Sequence, residues 1–121
     1  IINYGTGEIL YSYNTSNYIN SIICNFPLVF ILDRNGSITQ INIRDGEIER
    51  EYHNVGYYGM CRWNERYYVV CGKGLGLDIV DINNFNFIDS INGLDCLHSN
   101  SIRSVNKFRH PNYGDVLLTY G

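Results

Sequence analysis

Several residues in this chain have types that could do chemistry, and their spacing decides whether they can. The run Gly72-Lys73-Gly74-Leu75-Gly76 has the glycine content and the lysine of a phosphate-cradling loop. Such a loop needs GxxxxGK followed by Ser or Thr at the head of a helix. Here Leu77 opens an apolar, strand-like stretch, so the run reads as a turn between strands. His53, His98 and His110 could ligate a metal, yet none has a second ligand at His-x-x-x-His or Cys-x-x-Cys spacing. No metal and no cofactor is expected. Asp78 and Asp81 lie three apart on a strand-like segment, which turns their side chains to opposite faces and rules them out as an acid–base pair by themselves. Cys24, Cys61 and Cys71 fall inside apolar runs, and with Cys96 they form no Cys-x-x-Cys pair. They read as free thiols that behave as small hydrophobes, which suits a reducing, cytoplasmic compartment. No Ser-His-Asp or Cys-His constellation can be assembled from the spacing. No enzymatic activity is expected.

Charge excludes further classes. The chain has 121 residues and a net charge of −3, and its nine basic residues are scattered singly. A surface that tracks nucleic-acid phosphates needs clustered cations, as does a basic membrane patch. Neither partner is expected. The longest apolar run, residues 26–32, contains Pro27 and is far short of the roughly 20 residues of a bilayer span. Two glycosylation sequons, at Asn14 and Asn35, carry little weight in so asparagine-rich a chain. Tyr, Ile, Val and Phe are abundant and Ala is absent, a composition that fits pleated, half-buried strands with Asn and Gly in the turns.

The elements that must position these residues are repeated. Offset by 39, the sequence falls on itself without gaps: Ile2-Asn3-Tyr4 on Ile41-Asn42-Ile43 and on Val80-Asp81-Ile82, Thr6-Gly7-Glu8 on Asp45-Gly46-Glu47, Tyr13 on Tyr52, and Tyr18 on Tyr57. After Asp81 the register slips: His53 best matches His98, so an insertion is expected near residues 93–95. Each period divides into four short strands. In the most complete unit these are 21–25, 28–32, 37–43 and 47–53, with Asn35-Gly36 and Asp45-Gly46 as turn signals. The last strand, with Glu47, Glu49, Arg50 and Glu51, is charged as an outer edge strand should be. The next unit supplies 57–63, 66–71, 77–82 and 87–91. Residues 1–4 and 8–13 read as the last two strands of an earlier unit, and 101–109 and 115–120 as the first two of a later one. No window shows a helical period. Trp63 and the pairs Tyr57-Tyr58 and Tyr67-Tyr68 could anchor an interface; packing between units is the favoured reading.

Four strands per repeat of about 40 residues is the pattern of a propeller blade. The stretch Leu97-His98-Ser99-Asn100-Ser101-Ile102, continuing through Val105, Phe108, His110-Pro111 and 114–118, resembles the WD-repeat family, and His53, Tyr57 and Met60 repeat its spacing. Where the family closes its third strand on Trp-Asp, this chain has Ile2-Asn3, Ile41-Asn42 and Val80-Asp81. The resemblance implies an all-β fold of β-propeller blades, each a four-stranded antiparallel sheet, in an incomplete ring. Residues 1–20 would end one blade, 21–56 and 57–97 form two more, and 98–121 begin a fourth. It also makes His53 and His98 matches for the family's structural histidine and Asp33 a match for the acid of that hydrogen-bonded set, of which no unit keeps every member. One face, built from the loops entering each first strand and from the second-to-third turns, usually holds peptides or partner domains. Here that face carries Arg34, Asn35, Asn54, Lys73, Asp95 and His98. The function implied is a non-catalytic protein–protein interaction scaffold, part of a larger WD-repeat-like propeller. The alternatives are the propeller portion of a multidomain enzyme and a structural repeat block of a large assembly. A propeller needs roughly 4–8 blades, so the ring must be closed by further blades of a longer parent chain, which the abrupt ends favour, or by self-association.

Overall fold

The computed structural model describes residues 1–15, 17–72, 76–91 and 101–121. Among the described residues ten strands are present: β1 (Ile19–Asn25), β2 (Leu28–Asp33), β3 (Ile38–Asn42), β4 (Glu47–Tyr52), β5 (Gly59–Arg62), β6 (Tyr67–Cys71), β7 (Leu77–Asp81), β8 (Phe87–Ile91), β9 (Ser104–His110) and β10 (Gly114–Tyr120). They form two four-stranded antiparallel sheets, β1-β2-β3-β4 and β5-β6-β7-β8, and a two-stranded hairpin, β9-β10. Among the described residues no helix is long and apolar enough to cross a membrane.

The repeat survives in detail that no single strand assignment would reveal. In the first sheet the β3–β4 ladder runs Ile41↔Ile48 and then Gln40↔Arg50, leaving Glu49 as a bulge. In the second, β7–β8 runs Val80↔Phe87 and then Ile79↔Asp89, leaving Ile88 in the equivalent place. The turn after β3 repeats too. The Asn42 side-chain Oδ1 accepts the backbone N–H of Arg44 at 3.0 Å, and the Asp81 Oδ1 accepts that of Asn83 at 2.8 Å. Near the start of the chain, the Asn3 Oδ1 accepts the N–H of Gly5 at 2.9 Å. Each turn then closes through a backbone bond: Gly46 to Asn42, Phe85 to Asp81, Gly7 to Asn3.

The closing residue has positive φ in all three turns: 72° at Gly7, 75° at Gly46 and 61° at Phe85. That conformation is easy for glycine and costly for phenylalanine. Phe85 is held there by packing, its ring 4.9 Å from Tyr52, 5.9 Å from Tyr68 and 6.2 Å from Phe30. The segment before β1 differs from expectation in one respect. Residues 1–4 and 8–13 form only an isolated bridge, Ile2↔Ile9, rather than two strands. That bridge is the repeat of Ile41↔Ile48, but β2-like strands to pair with are lacking there among the described residues, and an isolated pair seldom extends in water.

The sheets stack face to face with their first strands side by side, β5 lying between β1 and β9. Alternation along each strand builds two interfaces. Phe30 and Leu32 of β2, Ile38 of β3, Met60 of β5, Tyr68 and Val70 of β6, and Val80 of β7 close the first. Val69 and Cys71 of β6, Leu77 of β7, Ile102, and Val105 of β9 close the second. The strand β6 therefore faces apolar partners on both sides, which explains the unbroken apolar run from Tyr67 to Cys71. The outer strands β4 and β8 are largely exposed; the charge of β4 predicts this, whereas β8 exposes Phe87 and Ile88. Polar bonds stitch the first interface at its edges. The Asn25 amide donates to the Tyr68 hydroxyl at 2.7 Å, and Arg50 donates to the Asn83 carbonyl at 2.8 Å.

Candidate functional site

The loops entering β1, β5 and β9 converge at one rim. Between them lies a cavity of about 580 Å³. Asn20 and Ser21 line it from β1, Tyr58 from the approach to β5, and Ser101, Arg103 and Ser104 from the approach to β9; Arg34 reaches it from the β2–β3 turn, and Gly72 from the exit of β6. The cavity is thus shared by all three sheet units, at the end where their innermost strands begin.

Local turn chemistry fixes the parts. Asp33, only 9% exposed, ends β2 and spends its carboxylate on the turn. Its Oδ1 accepts the backbone N–H of Asn35 at 2.9 Å and of Ser37 at 3.0 Å, and its Oδ2 accepts the Asn17 amide at 3.2 Å. The turn is also tied to the neighbouring loop: the Asn54 N–H donates to the Ser37 hydroxyl at 3.0 Å, and the Gly56 N–H to the Gly36 carbonyl at 2.9 Å. The structure therefore sets Arg34, Asn35 and Asn54 in two adjoining turns, and of the three Arg34 lines the cavity. Lys73, Asp95 and His98, which the family resemblance groups with them, lie outside the described residues. Arg103 escapes a reading of the sequence by motif. The 45-residue spacing that aligns His98 with His53 also aligns Arg103 with Tyr58, and that register is the signal that could find it.

Gly72 has φ +127°, and a Cβ there would lie 2.8 Å from the Gly56 carbonyl oxygen and 2.9 Å from the Tyr58 nitrogen. Both are backbone atoms and cannot step aside. Gly72→Ala is expected to destabilise the chain by about 2–4 kcal/mol, from strain plus overpacking. Gly114→Ala, also at positive φ (+71°) but with nothing within 4 Å, should cost about 1 kcal/mol. Urea unfolding of the two variants side by side checks the difference; equal losses would mean that the close approach at Gly72 is unimportant.

The structural role that the family resemblance gives His53 is not seen among the described residues. Its ring is exposed, and its nearest charged partner is Glu51 at 3.8 Å. The reason lies in the repeat: the position equivalent to Asp33 in the second sheet is Gly72, which offers no acceptor side chain. His110 serves its own hairpin turn, its Nδ1 accepting the Asn112 N–H at 3.1 Å. Asp78, whose spacing from Asp81 rules the two out as an acid–base pair by themselves, is a structural clamp: it accepts the Tyr57 hydroxyl at 2.8 Å and the Ser90 hydroxyl at 2.8 Å.

Burial, joined by the Asp78 contact, pushes the Tyr57 hydroxyl well above the usual tyrosine range. Burial likewise raises the Cys71 thiol to about 12 and lifts Cys61 and Tyr68. Such thiols are protonated and unreactive at neutral pH. Cys24, on the first sheet's outer face, is exposed. Trp63 belongs to the second interface, with the Lys107 ammonium 5.0 Å over its ring and bonded to its carbonyl.

No protein-family model matches the sequence, and no curated protein matches it. Among solved structures, the chain is similar to the computationally designed Ika4 protein, at 12% identity and a TM-score of 0.48, over 95% of this chain and 98% of that one. It is also similar to the β-propeller domain of Cps50 (Swd1) from Myceliophteria thermophila, at 10% identity and a TM-score of 0.54. That match covers 89% of this chain and 40% of the Cps50 domain, so the chain spans less than half of it. Four-stranded antiparallel sheets stacked around their first strands, together with the likeness to the Cps50 domain, make the fold one of β-propeller blades in an unclosed ring.

Proposed function

We propose that this chain is part of a WD-repeat-type propeller that acts as a non-catalytic platform for a protein or peptide partner, and that the partner docks on the rim where β1, β5 and β9 begin. The observation that carries the reading is the 580 Å³ cavity shared by three sheet units. A concave site assembled from several rigid elements is the usual form of a recognition surface. Its lining is polar and aromatic, suited to binding an extended segment. On this reading the blades follow the sequence register, 21–56 and 57–97 being complete and 1–20 and 98–121 partial, and further blades complete the ring. A reducing, cytoplasmic setting fits the protonated, interface-packed Cys61 and Cys71.

Peptide display against the immobilised chain tests the proposal. Enriched peptides should lose binding to Asn20→Trp, which fills the cavity, and keep binding to Glu47→Lys on the outer strand β4, with unchanged circular dichroism in both variants. Peptides that bind Asn20→Trp as well as the parent would overturn it, as would the absence of any enrichment.

A further inference from the structure

The structure assigns to this rim a preference for an acidic, extended peptide segment of a protein partner; the inference rests on the platform reading and names the chemistry of its ligand. Two arginines, Arg34 and Arg103, line the cavity from different sheet units, and among the described residues that line it none is Asp or Glu. This local excess of positive charge stands out on a chain whose net charge is −3. Three of the other cations have acidic neighbours: Arg62 meets Glu65 at 3.0 Å, and Lys107 and Arg109 share Asp115 at 3.6 and 3.8 Å. The carboxylate beside Arg34 in sequence, Asp33, is already committed to backbone and amide donors within its turn.

Both arginines hang from fixed points. The Arg34 N–H donates to the Tyr18 carbonyl at 2.7 Å, and its guanidinium sits 5.8 Å over the Tyr18 ring, which orients it without neutralising it. The Arg103 N–H donates to the Tyr120 carbonyl at 2.7 Å. Guanidinium forks are suited to carboxylates.

Magnitudes select the size of the ligand. An exposed ion pair is worth about 0–1 kcal/mol, too little to hold a small free anion at two exposed arginines. A peptide that spans the cavity adds hydrogen bonds to Ser21, Ser101 and Ser104 and buries the Tyr58 ring, so its acidic side chains supply selectivity on top of contact area. Nucleic-acid binding rests on clustered cations tracking many phosphates, and this cavity offers two arginines.

Fluorescence anisotropy with labelled peptides of equal length tests the assignment. One peptide carries spaced glutamates and a tyrosine, a second has glutamine and a third lysine in place of each glutamate, and a single-stranded oligonucleotide of the same length is the fourth probe. The glutamate peptide should bind best and weaken as salt rises. Arg34→Glu and Arg103→Glu should each weaken it roughly tenfold, with Arg34→Gln and Arg103→Gln giving smaller losses in the same order should either reversal disturb folding. Arg66→Glu, on the opposite rim in the β5–β6 turn, should change nothing. Equal binding of the glutamine peptide, indifference to both arginine variants, or tighter binding of the oligonucleotide would each overturn the assignment. Non-acidic peptides from display that are nevertheless sensitive to Asn20→Trp would overturn it while leaving the platform reading in place.

Discussion

Tyr68→Ala is expected to cost about 3–5 kcal/mol, the loss typical of emptying a large aromatic site in a packed interior. A domain of this size has only about 5–15 kcal/mol of stability in total, so the variant loses a large share of it. Tyr68 is fully buried between the two four-stranded sheets. Its ring meets Phe30 edge-on, with centroids 5.2 Å apart, and lies 5.9 Å from Phe85. Its hydroxyl accepts the Asn25 amide from the neighbouring sheet. The side chain therefore fills the first interface and joins its two sides. Tyr68→Phe separates the two contributions: it keeps the ring and loses one hydrogen bond, for about 1 kcal/mol, and Asn25 retains its bond from Arg62 at 2.8 Å. Urea unfolding followed by the fluorescence of Trp63, the chain's single tryptophan, reads both variants. Similar losses for alanine and phenylalanine would show that the ring's packing is not what holds the sheets together.

Stability should also fall steeply in alkali. Cys71 titrates at 9.0 when free and at about 12 in the fold, because burial disfavours the thiolate and neighbouring Cys61 adds to the effect. Tyr57 and Tyr68 move upward from 10.0, both mainly by burial. In each case the folded chain holds its proton at pH values where the unfolded chain has released it. Unfolding is then coupled to proton release, and stability declines with rising pH. The Cys71 contribution is complete below pH 9 and is lost between pH 9 and 12. A tenfold difference in proton affinity between the folded and unfolded chain is worth about 1.4 kcal/mol, so Cys71 alone removes up to about 4 kcal/mol across that window. Cys71→Ala should flatten the alkaline limb of a stability–pH curve, at the cost of a small cavity at neutral pH. Tyr57→Phe should flatten it further while sacrificing the bond to Asp78. A parent chain equally stable at pH 8 and pH 11 would contradict the argument.

Much of the fold is legible in the sequence because the repeat and the alternation of side chains act together. The apolar run at 67–71 marks a strand buried on both faces, and the charged residues at 47–51 mark an exposed edge; both follow from a two-residue period. The turn at Asp33-Gly36 announces itself by residue type. The cavity is less visible. Its walls come from positions 20, 34, 58 and 103, which meet only because three sheets stack around their first strands, and no periodicity along the chain encodes that stacking. Arg34 is found through its turn; Arg103 is reached only through the 45-residue register that sets it on Tyr58. His53 misleads because its own position resembles the family, while the residue that decides its role, Gly72, is distant in sequence. The segment 1–13 reads as two strands because its turn chemistry is that of the other repeats; what it lacks among the described residues is a sheet to join.

The side-chain oxygens at Asn3, Asn42 and Asp81 bear on how such chains diverge. Each occupies the place where a family signature would demand aspartate, and each accepts the same backbone N–H two residues on. What the turn requires at this position is an acceptor atom at a fixed place, which asparagine and aspartate both supply. The bulge at Glu49 and Ile88 is held still more loosely, since a backbone displacement places no demand on its side chain. Repeats built this way can exchange nearly every letter while keeping their geometry, because each turn asks for an acceptor atom and each bulge for a displaced backbone rather than for a particular residue.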